Sequence, residues 1–442
     1  MSPEQLAAVI MLAILLIMVI GGVHLAFALM FLAVIFGLIY VGPPIFPMAM
    51  LKIFGVMQSE ILIAVPLFVF MGTILEKSGV AEGVYQSLYE LFGPIRGGLA
   101  FATVATCTIF ASCTGVIAAT VTTMTLLAVP AMLKRKYDKG LATGVVCAGG
   151  SLGILIPPSV MLVMYGPMAN LSVAKLFAAA LFPGFVLSFL FLAYIAVRAW
   201  LQPKSAPAIS AEERTAVGGK LLKRTVLHML PPLFLIIAVL GSIIGGVASP
   251  TEASGVGAFC AMLIAAAYRR LNLQNVKEAA HTTLIVTTMV FFIIIGAQIF
   301  NAVFLYLGGG VLIRNMLIAI PLGKWFILAV MMFILFIMGF FISWQGLLYV
   351  IVPIFLPVAI ALGFDPLWFA LLVCLNLQMS FLTPPFAYAI FFVKGASPPE
   401  ITTWDIYRGV VPFVALQAFG MFICIVFPEI ILWLPRVTLG GA

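Results

Sequence analysis

The sequence predicts an all-α polytopic membrane protein built from two inverted repeats, each with a re-entrant helical hairpin and a helix broken at a Pro-Pro pair. Three observations carry this expectation. Of 442 residues, 64% are hydrophobic and 8% charged, whereas a soluble domain carries roughly 25% charged residues. Apolar runs long enough to cross a bilayer, which takes about 20 helical residues, recur from residue 6 to residue 435. Two pairs of polar motifs recur between the halves: FASCTG (110–115) with FISWQG (341–346), and GILIPPS (153–159) with SFLTPPF (380–386).

The first apolar stretch, Leu6 to Ile20, lacks a basic leader and a small-x-small cleavage site, so a retained helix is expected there. The longest polar stretch, residues 202–228, lacks helical apolar periodicity and reads as a cytoplasmic linker too short to fold alone. The net charge of +8 does not call for nucleic acid. Basic residues gather in five connections, around Lys77 and Arg96, Lys134 to Lys139, Arg198 to Arg224, Arg269 to Lys277, and Lys394 to Arg408. In a membrane chain such clusters report orientation, because Lys and Arg near span ends stay cytoplasmic. Both termini are then expected on the periplasmic side.

Each half runs through a helix, a polar break, a second helix, a short turn, a third helix and a Pro-Pro break. The turn at Lys134 to Lys139 is strongly basic, whereas Gly363 to Pro366 has no basic residue. The two repeats therefore run in opposite directions, which is the inverted-topology pattern of secondary transporters.

Residues 93–131 and 325–358 have polar centres at Ser112-Cys113-Thr114-Gly115 and Ser343-Trp344-Gln345-Gly346. A hairpin turning at each centre would place four non-helical residues at membrane depth, where irregular backbone survives only inside protein or along a cavity. Each proline of the Pro-Pro breaks removes an N–H, so a carbonyl one turn earlier loses its partner. Freed carbonyls with the hydroxyls of Ser112, Thr114, Ser151, Ser343 and Thr383 supply the oxygen ligands that sodium, a hard cation, requires. No Asp or Glu lies in either polar centre or break, so sodium is favoured over a proton relay. Helix N-termini at the same breaks favour an anionic substrate group between the repeats.

Other features read as structural. Thr120, Thr122 and Thr123 are expected to bond their own backbone. Gly149-Gly150 reads as helix packing, with Gly149 close enough to the break to stay a candidate ligand. Ser249-Pro250-Thr251-Glu252 fits a capping box. His24, His228 and His281 lie near predicted cytoplasmic ends of spans and form no ligand pair, and the six cysteines read as small buried hydrophobes. An intramembrane hydrolase using Ser112 or Ser151 lacks an embedded His, Lys or Asp partner, so no enzyme and no cofactor are expected.

Through GSLGILIPPSV, VASPTEAS, VPIFLPVAIALGFDPLWFALL and NLQMSFLTPPFAYAIF, the chain resembles the large membrane subunit of the tripartite ATP-independent periplasmic (TRAP) transporters. The resemblance spans nearly the whole chain. It implies an elevator-type inverted-repeat transporter of the bacterial inner membrane, driven by sodium. Residues 1–92 would be scaffold helices with an interfacial arm, 93–175 the first transport repeat, 176–324 scaffold with the linker, 325–397 the second transport repeat and 398–442 a C-terminal scaffold helix. It also implies a small four-helix membrane subunit and a soluble periplasmic binding protein that delivers a small organic acid, such as a C4-dicarboxylate or a 2-oxo acid. A carrier without a binding protein, or one for a polyol, remains the alternative.

Carried over by position, one sodium site would use Ser112, Thr114, Gly115, Gly149, Ser151, Gly153, Ile154 and Pro157. The other would use Ser343, Gly346, Leu382, Thr383 and Pro384, and substrate would meet Ser112, Pro158, Ser159, Ser343, Gln345, Thr383 and Pro385. Many relatives carry Asp-Pro where this chain has Ser343-Trp344, and Pro-Pro-Val-Gly where it has Pro384-Pro385-Phe386-Ala387. These departures leave the substrate open.

Overall fold

The computed structural model describes residues 2–115, 117–208, 219–384 and 387–440. Those residues form helices and turns with no strand among them. Among the described residues, eight helices are long and apolar enough to cross a membrane. The polar ends of the helices are set by local chemistry. Ser249 and Glu252 close a capping box on the helix from Pro250, as the sequence predicts, and Ser2 and Gln5 close another on α1 (Pro3–Ile20).

After α1 come α2 (Leu25–Tyr40), α3 (Ile45–Met57), α4 (Ala64–Lys77) and the amphipathic α5 (Val80–Phe92). The first hairpin is α6 (Gly98–Thr114) and α7 (Ile117–Lys134), and the first broken helix is α8 (Lys139–Ser151) with α9 (Val160–Ala169). Then follow α10 (Val173–Leu201), α11 (Gly219–Ile236), extended through a π-turn by α12 (Ser242–Ile244), α13 (Pro250–Ala267), α14 (Leu273–Tyr306) and the short α15 (Gly309–Ile318). The second hairpin is α16 (Lys324–Met338) and α17 (Trp344–Ala361), and the second broken helix is α18 (Pro366–Ser380) with α19 (Tyr388–Ala396). The chain closes with α20 (Thr403–Val426) and α21 (Glu429–Leu439).

Both repeats thus have the expected helix order, but the end of the linker differs. Residues 219–228 belong to α11 rather than to the linker. Tertiary contacts hold this polar turn helical: His228 Nδ1 lies 2.6 Å from Ser87 Oγ on α5, and Arg224 pairs with Glu90 at 3.4 Å. The start of the linker docks as well, since Ala206 accepts from the Gly97 N–H and Ser205 from the Asp138 N–H, each at 2.9 Å.

α4 packs chiefly on α13 and α14, and α14 on α2. The broken helix α8 packs on both arms of its hairpin and on α20. The C-terminal helix α20 is seated against the broken helices of both repeats. Glycines make this approach: a β-carbon on Gly409 would lie 2.1 Å from the Gly140 carbonyl oxygen, and one on Gly144 would lie 2.3 Å from that of Gly409. Dispersion between backbones in such close contact substitutes for the hydrophobic drive that lipid does not supply.

Candidate functional site

The first hairpin tip rests on the first break. Helix α6 stays helical through Ser112, Cys113 and Thr114, and Gly115 ends it in the left-handed region at φ +60°. Only Gly115 of the expected four residues leaves the helix, because a glycine C-cap turns the chain in one residue. A β-carbon there would lie 2.8 Å from the Pro158 carbonyl oxygen, and one on Gly153 would lie 3.7 Å from the Ala111 Cα. Tip and break therefore meet backbone to backbone. The break is a 3-10 turn at Leu152–Ile154 followed by a turn at Leu155 and bends through Pro158 to an extended Ser159, with a cis peptide between Pro157 and Pro158. Gly149 faces Cys107 of α6 instead of the tip.

The second hairpin turns earlier than the sequence suggests. Its non-helical residues are 339–343, and α17 restarts at Trp344. Gln345 and Gly346 thus lie in a first helical turn, whose carbonyls accept within the helix. Gly346 does not face the second break; its Cα looks onto Leu25 of α2, where a β-carbon would meet Leu25 Cδ2 at 1.8 Å. The contact between tip and break falls instead at Gly339 and Ser380, where a β-carbon on Gly339 would come within 2.4 Å of Ser380 Oγ. Leu382, Thr383 and Pro384 form the turn that follows α18, and Pro385 lies outside the described residues.

The hydroxyls divide into three kinds. Ser112, Thr114 and Thr383 donate to carbonyls one turn back, of Thr108 at 2.9 Å, Phe110 at 3.1 Å and Met379 at 3.0 Å. Ser159 donates to the Ile154 carbonyl, the group that Pro158 cannot reach. A donated proton leaves the oxygen lone pairs free for a cation. Ser151 is filled: it donates to the Ala148 carbonyl at 2.7 Å and accepts from Gln378 at 3.2 Å and Gln417 at 3.0 Å. That network ties α8, α18 and α20 together and assigns Ser151 a structural task in place of ion ligation. Ser343 Oγ is buried with no hydrogen-bond partner. Thr120 lies 2.9 Å from Thr114 across the tip, and Thr123, expected to bond its own backbone, donates to Glu76 of α4 at 3.3 Å.

A cavity of about 530 Å³ joins these parts, within the range of small-molecule sites. Tip residues Gly115, Ser343 and Gln345 line it with Ile154 of the first break and with residues of α1, α2, α4 and α14. Ser112, Pro158, Ser159 and Thr383 do not line it, and the Ser112, Ser159 and Thr383 hydroxyls turn inward to backbone carbonyls. First-turn residues of α2, α7, α9, α17 and α19 do: Leu25, Ile117, Val160, Trp344 and Tyr388. Unpaired N–H groups and positive partial charge gather at such ends, so the wall suits an anionic group. Among the described residues no cluster of His, Cys, Asp or Glu suits a metal, so the available cation donors are neutral oxygens.

Sequence reasoning missed His24, which lines the cavity beside the second tip, and Ser380, which touches that tip. The signal for Ser380 was available, since Pro384 follows it by four residues and cannot donate to its carbonyl, which accepts from the Thr383 N–H at 3.1 Å instead. No local pattern marks His24.

The family described as tripartite ATP-independent periplasmic transporter, DctM component, matches residues 9–430. The C4-dicarboxylate TRAP transporter large permease protein of Vibrio cholerae is 29% identical, covering 97% of this chain and 98% of its own. An ectoine/5-hydroxyectoine TRAP transporter large permease of Ruegeria pomeroyi is 30% identical over 84% of this chain and 85% of its own. Among solved structures, the YdaH transporter of Alcanivorax borkumensis superposes with a TM-score of 0.66 at 13% identity, covering 96% of this chain and 98% of that one. That likeness shows the shared all-helical fold.

Proposed function

Because the chain belongs to the DctM component family of tripartite ATP-independent periplasmic transporters, whose members are transporter permeases and not enzymes, we propose that it carries a small organic acid inward across the bacterial inner membrane on a sodium gradient. The observation that carries this reading is the cavity in which both hairpin tips, the first break and five helix N-termini meet. Five positive helix ends attract a carboxylate without a buried basic side chain.

Sodium fits the oxygens around it. Ser112, Thr114, Gly115, Gly153, Ile154 and Pro157 offer hydroxyl and carbonyl oxygens at the first tip and break, and Ser343, Thr383, Leu382 and Pro384 offer them at the second. No carboxylate among the described lining residues supports a proton relay. Both tips and breaks move with α6–α9 and α16–α19 as an elevator past the scaffold of α1–α5, α13, α14 and α20. The basic connections face the cytoplasm and both termini the periplasm. A small four-helix membrane subunit flanks the chain, and a soluble periplasmic binding protein delivers the substrate.

Uptake of labelled organic acids into proteoliposomes holding this chain and a small subunit tests the reading. Uptake requiring both a sodium gradient and a binding protein is expected. Uptake without a binding protein points to a stand-alone carrier, and uptake driven by protons alone contradicts sodium coupling.

A further inference from the structure

The cavity distributes its polarity unevenly, and the distribution specifies a substrate class. Among its described lining residues there is no Lys, Arg, Asp or Glu. One imidazole, His24, is its only nitrogen base, and the remaining side-chain polar groups are Ser343, Gln345, the Trp344 indole and the Tyr388 phenol. His24, Ser343 and Gln345 belong to one neighbourhood, because Gly346 of the second tip closes directly onto Leu25, the residue after His24. Much of the remaining wall is aliphatic or aromatic, from α1, α4, α7, α14 and the ends of both breaks.

His24 is free to act there. It occupies the N-cap position of α2 yet makes no cap hydrogen bond, and its recorded contact is an edge-on ring contact with Phe27 at 6.0 Å. Ser343 Oγ, buried and unpartnered, supplies a second donor on the facing tip.

We infer that the substrate is a monoanionic organic acid with an apolar body, its single carboxylate held by His24, Ser343 and the N-terminus of α17, and its body packed in the apolar remainder. A second carboxylate would find no second imidazole, Lys or Arg among the described lining residues and would have helix N-termini alone to hold it, which makes a dianion the weaker ligand. The inference rests on the uptake function proposed above and narrows it to one charge class.

Calorimetric binding to the full chain in lipid nanodiscs with sodium chloride tests this with three six-carbon probes: hexanoate, adipate and 1-hexanol. Hexanoate is expected to bind at least about tenfold tighter than either of the others, the range one charge-assisted hydrogen bond supplies. In His24→Leu the hexanoate affinity falls about tenfold or more while hexanol is unaffected. His24→Gln keeps an N–H donor and keeps most of the preference. Adipate or hexanol binding as tightly as hexanoate, absence of hexanoate binding, or an unchanged hexanoate affinity in His24→Leu overturns the inference. The wild-type probe comparison decides even if a variant fails to fold. Sodium-driven uptake of a dicarboxylate would overturn this charge class while leaving the proposed uptake function standing.

Discussion

Gly72 of α4 and Thr114 of the first hairpin tip touch main chain to main chain: a β-carbon on Gly72 would lie 2.5 Å from the Thr114 carbonyl oxygen and 2.9 Å from its Cα. Neither atom can rotate away, so any movement of the tip along α4 passes this point. Gly72→Ala should lower the initial rate of uptake at least about tenfold, the scale of a misplaced contact at a working site. Reconstituted initial rates check it, and a rate within twofold of wild type would show that the tip does not ride on α4.

Ser343 makes a separable prediction. Its buried hydroxyl has no protein partner, so Ser343→Ala removes no internal hydrogen bond and relieves a desolvated group worth about 1–3 kcal/mol. Thermal stability without sodium should hold or rise, while the sodium concentration for half-maximal uptake rises several-fold. An unchanged sodium dependence would remove Ser343 from the ion and substrate site.

Ser151 should behave in the opposite manner. Ser151→Ala leaves the Gln378 and Gln417 amides without their shared acceptor, a loss of about 1–3 kcal/mol for buried donors. Denaturation midpoints should fall with the sodium dependence of uptake unchanged. Replacing both glutamines by Leu together with Ser151→Ala should recover much of the loss, since apolar groups of similar shape can stand in for a hydrogen-bonded set.

The α8–α20 crossing sets a stability prediction. Gly409→Ala places a methyl 2.1 Å from the Gly140 carbonyl oxygen, and overpacking of this kind costs about 1–3 kcal/mol or more. Loss of thermal stability without a selective change in ion dependence is expected; a neutral effect would mean that α20 can withdraw from α8.

Much of the architecture was legible in the sequence because its signals are local. Pro157-Pro158 announces a break wherever it falls, the Gly115 turn follows a polar tip, and Ser249 with Glu252 marks a helix start. What was not legible depends on contacts between distant segments. The second hairpin turns at 339–343, where Gly339 accommodates Ser380, and the motif match to the first tip could not convey that neighbour. Residues 219–228 look like linker until α5 supplies Ser87 and Glu90 to hold them. Ser151 carries the composition of an ion ligand and is occupied by two glutamines more than 200 positions away. His24 reads as a span end because the α17 tip that brings it into the cavity is more than 300 residues distant.

Alternating exposure of the cavity is the central claim, and thiol labelling at Ala118 measures it most directly. Ala118 lines the cavity at the start of α7, and the six native cysteines are buried. In oriented vesicles, Ala118→Cys should react with a membrane-impermeant reagent from the side of the basic connections under one condition and from the opposite side under another, with sodium and substrate shifting the balance. Reaction from one side only, whatever the sodium and substrate, would contradict a moving site.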